Sequence, residues 1–370
     1  MLLLIPGPVA THPDVRAAMA QDFAPWDRDF CALYARVRER MRVLAGGTAQ
    51  HIALPVPGSG HYGIEAAVRS FIPPGGRILV PMTGSYAERM VRLAREAGRV
   101  VVELPASLVE PVAPEAVAAA LAADPAISHV GLVYSETSSG VVHDAAAVGA
   151  AVRAAGRRMI LDAVSAFGAL PIDLSGQPEI DAMVCTANKC LEGLPGLAFV
   201  VARADRLEAA PGLAGSWSLD LADIAANARR AQPGSARFTP PAQVIAALDV
   251  ALDRLAQEGG PAKRLARYAA NMRVIHDGAA TLGLTACLSR TAQGPIVVNI
   301  LAPADPAWNL QHFVDALKAR GVLISNFYNT KEPSFRVGCI GAITPAQMRG
   351  ALDAMGAALR DIGIRRTRAA

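Results

Sequence analysis

Lysine is scarce. The 370-residue chain holds four, Lys189, Lys263, Lys318 and Lys331, among 36 basic residues. Its arginines are dispersed until Arg365-Arg-Thr-Arg368, which reads as a solvated end and not as a nucleic-acid contact. Long apolar runs are missing too: an Ala-rich stretch such as Ala116–Ala123 is far shorter than the roughly 20 residues of a membrane span. Met1–Pro6 lacks a basic leader and is interrupted by proline, so no signal peptide, no membrane contact and a cytoplasmic location are expected. The five cysteines are odd in number and scattered without a paired CxxC, and the seven histidines do not cluster. Neither a disulfide framework nor a metal site is expected. A formal charge of +4 is small for this length and suits anionic substrates without requiring them.

What is present is an alternation of apolar strand-like runs with Ala-rich helical stretches. The runs are Arg77–Pro81, Arg99–Glu103, His129–Tyr134, Arg158–Asp162, Ala182–Cys185 and Leu197–Val201, with helices expected near 84–97, 114–123 and 143–156. This pattern predicts an α/β fold, a mostly parallel sheet flanked by helices, with ligands at the carboxyl ends of its strands. A helix-rich stretch follows near 240–282, broken at Glu258-Gly-Gly-Pro261. Beyond it come Pro295–Ile300, a helix near 307–320, strands Val322–Ser325 and Ser334–Val337, and a last helix from Pro345. We expect a large domain over 16–255 and a smaller α+β domain made of 1–15 and 256–370.

Asp162 closes a buried apolar run, and Lys189 follows in Thr186-Ala-Asn-Lys-Cys190 beside Gly193-Leu-Pro-Gly196. An aspartate at a strand end and a lysine on a later loop are what a pyridoxal phosphate enzyme uses, the one to hold the pyridine nitrogen protonated and the other to form the Schiff base. Taken alone, the pair is equally a strand cap and a solvated lysine. Gly58-Ser-Gly-His-Tyr-Gly63 follows the apolar, turn-rich Ile52–Pro57, precedes a helical run and reads either as a phosphate cup or as a plain strand-to-helix turn. Ser135-Glu-Thr137 puts hydroxyls after another strand, for a ring oxygen or for a turn cap. Tyr86 could stack on a cofactor or pack in the core. Arg336 is a charge inside an apolar strand, where a guanidinium is usually paired or grips an anion.

Together with Pro6-Gly-Pro8, Trp26-Asp27, Asp162-Ala-Val-Ser-Ala-Phe-Gly168, Arg237-Phe-Thr239 and Phe335-Arg-Val-Gly-Cys-Ile-Gly341, these segments resemble fold-type I pyridoxal phosphate enzymes of the class V aminotransferase group. The likeness spans essentially the whole chain. Within the group it is closest to the branch that passes the amino group of 2-aminoethylphosphonate to pyruvate, giving phosphonoacetaldehyde and alanine.

The resemblance implies that Lys189 is catalytic and that Asp162 bonds the pyridine nitrogen. It also implies that Tyr86 and Val164 cover the two ring faces and that Ser59, Gly60, His61 and Asn188 serve the phosphate. Thr137 would lie near the ring oxygen, and Thr239 would reach the phosphate of a neighbouring subunit, hence a homodimer with shared sites. Arg336, with Trp26 and Gly7, would take the anionic end of an aminophosphonate or a 2-oxo acid. Ser325–Lys331 departs from the Tyr-Pro-Gly-Lys type segment expected there, which bears on substrate preference. The alternatives are an alanine or serine:glyoxylate aminotransferase of the same group and a non-catalytic pyridoxal-binding module. A cysteine desulfurase would need an exposed nucleophile, whereas Cys339 sits in a strand-like setting and reads as a packed thiol.

Overall fold

A computed structural model describes residues 1–209, 211–230, 235–327, 330 and 332–365. Tyr328, Asn329 and Lys331 of the departing stretch, and Arg366 and Arg368 of the terminal basic run, lie outside the described residues. The strands are β1 (Leu2–Leu3), β2 (His51–Pro57), β3 (Arg77–Met82), β4 (Val100–Pro105), β5 (Ile127–Val133), β6 (Arg158–Asp162), β7 (Ile180–Thr186), β8 (Leu197–Arg203), β9 (Val297–Leu301), β10 (Val322–Leu323) and β11 (Ser334–Gly338).

Seven of these form one sheet in the order β2-β8-β7-β6-β5-β3-β4. All neighbours are parallel except those of β8, which runs against both β7 and β2. β7 is buried at every position, which is why its sequence shows no alternation. The sequence reading treats Ile52–Pro57 as a turn-rich approach to the glycine loop, but the structure makes it the edge strand β2. Pro55 and Pro57 are tolerated there because an edge strand leaves one row of backbone groups unpaired.

Helices Gly60–Phe71 and Ser85–Glu96 pack on one face of the sheet, burying Ile64, Val68, Met90 and Val91. Helices Arg28–Leu44, Pro114–Ala123, Ala145–Ala154 and Ala242–Glu258 cover the other, with Phe30, Val117, Val148 and Leu248 in that core. The chain therefore leaves β3 for β4 over one face and returns to β5 over the other. That reversal creates a crevice at the carboxyl ends of β3 and β5, the place where such sheets bind ligands.

A separate core surrounds Leu4, Ile275, Phe313, Phe335 and Met355. It is built on the antiparallel pair β9 and β11 and on helices Pro261–Thr281, Leu310–Ala319 and Pro345–Asp361. β10 is shorter than the sequence suggests and pairs with β1, tying the N-terminal segment to this region. Among the described residues no helix is long and apolar enough to cross a membrane, and no group of His, Cys, Asp and Glu could hold a metal ion.

Candidate active site

A cavity of about 320 Å³ opens at the carboxyl ends of β3, β6 and β7, lined by Gly7, Ser59, Gly60, Tyr86, Asp162 and Lys189, with Val164 and Asn188 beside them. That volume is at the lower end of the range for small-molecule sites, about 300 Å³ and upward.

Lys189 rides on the loop between β7 and β8. Two short bonds close this loop: Gly193 N donates to Ala187 O at 2.8 Å and Glu192 N to Lys189 O at 2.9 Å. The lysine is buried, and desolvation pushes its amine below the ordinary lysine value. Tyr86 and Cys190 oppose that shift and Arg336 reinforces it. A less basic amine spends more time neutral, as imine formation requires. Gly7 lies directly over it, and a Cβ at that residue would stand 2.8 Å from Lys189 Nζ.

Asp162 sits at the end of β6 and accepts Val164 N on Oδ1 at 2.9 Å. Burial pushes its carboxyl up to about 7, the nearby Glu136 adding to the rise and the Val164 amide resisting it. Lys189 and Arg89 resist the rise without cancelling it, and a protonated pyridine nitrogen is a group that would supply the remaining positive charge. Val164 lies over Gly60, where a Cβ would come within 2.6 Å of Val164 Cγ2.

Ser59 precedes helix Gly60–Phe71 but makes no capping bond to it, its hydroxyl instead meeting His61 Nδ1 at 2.7 Å. The first amides of a helix have no intrahelical acceptor, so this end can receive an anion. Asn188 Oδ1 accepts from Thr186 Oγ1 at 2.8 Å. The free helix amides, the partner-seeking Asp162, the buried amine and the cleft volume together fit pyridoxal phosphate.

Arg336 is 3 % exposed on β11. Its Nη1 donates to Thr137 O at 3.2 Å, its Nε has no partner among the described residues, and the Phe327 ring lies 4.9 Å from the guanidinium carbon. Tyr86 and Glu136 hold its charge against the desolvation that lowers its pKa. An unsatisfied donor edge on a buried arginine suits an oxyanion. Thr137 is buried and contributes its carbonyl to this contact, but neither it nor Arg336 lines the cavity.

Two sequence candidates stand apart. Trp26 is 81 % exposed in the turn before helix Arg28–Leu44, whose inward face is taken by Phe30, Tyr34 and Val37. Thr239 is exposed and outside the cavity lining. Neither joins the site formed within one chain.

Glu136 and Arg89 were given no role by sequence. Glu136 is fully buried and caps helix Ser85–Glu96, accepting Tyr86 N at 3.3 Å while Ser138 N donates to it at 3.0 Å. Burial raises its pKa against those donors. Arg89 lies 4.8 Å over the Tyr86 ring at the cavity wall. A glutamate between two hydroxyl residues at a strand end was the available signal for the first. Cys339 is fully buried and its thiol is pushed up by desolvation, as a packed cysteine should be.

The fold and this site define an aminotransferase: the chain belongs to the class-V aminotransferase family, whose model matches residues 17–331. It is 43 % identical over 98 % of both chains to the 2-aminoethylphosphonate–pyruvate transaminase of Burkholderia thailandensis (strain E264). It is 39 % identical, again over 98 % of both, to the transaminase of the same name from Pseudomonas entomophila (strain L48). Among solved structures it resembles pyridoxamine-pyruvate aminotransferase from Mesorhizobium loti, with a TM-score of 0.88 and 27 % identity over 99 % of this chain and 93 % of the other.

Proposed function

We propose that this chain is a pyridoxal phosphate-dependent transaminase that takes the amino group of 2-aminoethylphosphonate and delivers it to pyruvate. The observation that carries the reading is the Lys189 amine and the Asp162 carboxylate in one cleft, with the buried Arg336 guanidinium near enough to press the Lys189 amine further down. It is strengthened by the 43 % identity to a transaminase named for that reaction.

Bound in the cleft, pyridoxal phosphate supplies the electron-withdrawing ring through which an amino group passes from donor to acceptor. Asp162 holds the proton on the ring nitrogen. The amides at the start of helix Gly60–Phe71 hold the phosphate with Ser59, His61 and Asn188, while Tyr86 and Val164 enclose the ring. Lys189 attaches the cofactor and moves a proton at the amine-bearing carbon of the donor. Arg336 holds the phosphonate of the donor and, in the second half-reaction, the carboxylate of pyruvate.

A homodimer is part of the proposal: Thr239 is exposed and outside its own chain's cavity lining, and it is assigned to the partner's phosphate site. The division into a large domain and a small one of 1–15 and 256–370 also belongs to it, supported by the separate core around Leu4, Phe313 and Phe335. A cytoplasmic setting completes the reading.

The test is a spectral half-reaction in which 2-aminoethylphosphonate, alanine and serine are added separately to cofactor-loaded protein. Conversion of the lysine-bound band by the phosphonate, with phosphonoacetaldehyde as product, is expected. Conversion by alanine or serine alone would move the protein to the glyoxylate branch, and no conversion by any donor would leave a non-catalytic cofactor carrier.

A further inference from the structure

Helix Pro261–Thr281 carries Arg264, Arg267, Tyr268 and Asn271 at positions i, i+3, i+4 and i+7, the face that a core helix normally fills with apolar residues. Arg264, Tyr268 and Asn271 are fully buried. Two sets of bonds leave this stripe.

One set runs to the loop that bears Lys189. Tyr268 Oη and Arg267 Nη2 donate to Glu192 Oε1 at 2.6 and 2.7 Å, and Arg264 Nη1 donates to Cys190 O at 3.0 Å. Glu192 is the one non-glycine residue among the described residues with positive φ, at 58°, and its amide closes the turn onto Lys189 O. Its side-chain clamp holds that disfavoured backbone in place.

The other set runs to the turn directly after β11, the strand of Arg336. Arg267 Nη1 donates to Gly341 O at 2.6 Å and to Ile343 O at 3.0 Å, and Asn271 Nδ2 donates to Cys339 O at 3.0 Å. Glu258 accepts Nε of Arg264 at 2.9 Å and Nε of Arg267 at 2.7 Å. Two carboxylates thus face two guanidiniums, and the buried charge is balanced. Among the four side chains of the stripe, Arg267 alone bonds both to the lysine loop and to the arginine strand's continuation.

We propose that Arg267 and Tyr268 are positioning residues that fix the separation between the Lys189 amine and the Arg336 guanidinium, and through it the amine-to-anion span that the site favours. This rests on the function proposed above. The amine-bearing carbon of the donor must lie within reach of Lys189 while its anionic group sits on Arg336. 2-Aminoethylphosphonate puts two carbons between nitrogen and phosphorus; alanine puts one between nitrogen and the carboxyl carbon. A clamp set for the longer span penalises that donor more than the shorter one when it is loosened.

The experiment compares half-reaction rates of cofactor-loaded wild type, Arg267→Lys and Tyr268→Phe with 2-aminoethylphosphonate and with alanine. Arg267→Lys keeps the charge but cannot bridge both partners, and Tyr268→Phe keeps the ring and loses one donor to Glu192. Both variants should retain cofactor, shift the pH midpoint of the lysine-bound band, and lower the phosphonate-to-alanine rate ratio roughly tenfold. Equal slowing of both donors, or no slowing, overturns the proposal. Should Arg267→Lys fail to fold, Tyr268→Phe decides. Should wild type refuse the phosphonate, the substrate reading fails separately, and the ratio is read between β-alanine and alanine, which differ by the same one carbon.

Discussion

Lys189 and Arg89 do not offset the burial of Asp162 in the protein alone, and the sign of its titration makes this measurable. Its folded pKa of about 7 lies above the ordinary carboxylate value. The fold therefore binds a proton that the unfolded chain has released, and stability from this group falls as pH rises from about 4 to about 7. We expect the stability gap between cofactor-free wild type and Asp162→Asn to shift against wild type by on the order of 4 kcal/mol across that window, read by urea unfolding. Loaded cofactor should flatten the slope, because the ring proton supplies the missing charge. Lys189→Ala should bind cofactor without covalent attachment, so borohydride reduction followed by peptide mass analysis should label no lysine, and turnover should vanish. Arg336→Lys retains a charge but not the planar fork. It should lose on the order of 2–4 kcal/mol in kcat/KM for the phosphonate, and an unchanged value would remove Arg336 from the substrate site.

The glycine at the start of helix Gly60–Phe71 does two things at once: it leaves an amide open and lets Val164 come close. Gly60→Ala would push against Val164 Cγ2. We expect faster cofactor dissociation, measured by dialysis and absorbance, with partial recovery in Gly60→Ala/Val164→Ala; an unaffected off-rate would show that this contact does not shape the cup. Most elements were legible before the structure because their signals are local. Parallel strands such as β6 appear as continuous apolar runs, and Pro114 and Asp144 mark helix starts where the structure has them. What stayed hidden depends on distant partners. Pro55 and Pro57 argued against a strand until β2 proved to be an edge. Glu136 serves amides on a helix fifty residues earlier in the chain. The polar stripe on helix Pro261–Thr281 had no visible purpose without Glu192 and Gly341. Trp26 carried a family likeness, but nothing in its own neighbourhood turns it inward.

At the scale of the whole molecule, the exposed Thr239 predicts sharing between subunits. Thr239→Ala should weaken cofactor retention without unfolding the chain, and mixing it with Lys189→Ala subunits should restore activity at one site in a heterodimer. Sedimentation as a stable monomer with full activity would end the shared-site reading. The N-terminal segment has a consequence in time as well as in space. Leu2–Leu3 pairs with Val322–Leu323, Gly338 N bonds Leu4 O, and Gly7 rests on Lys189. Leu2–Leu4 are therefore made more than three hundred residues before Val322, Leu323 and Gly338, the partners that hold them, exist. The large sheet can assemble during synthesis, whereas the mouth of the catalytic cleft closes only once those later partners have been made.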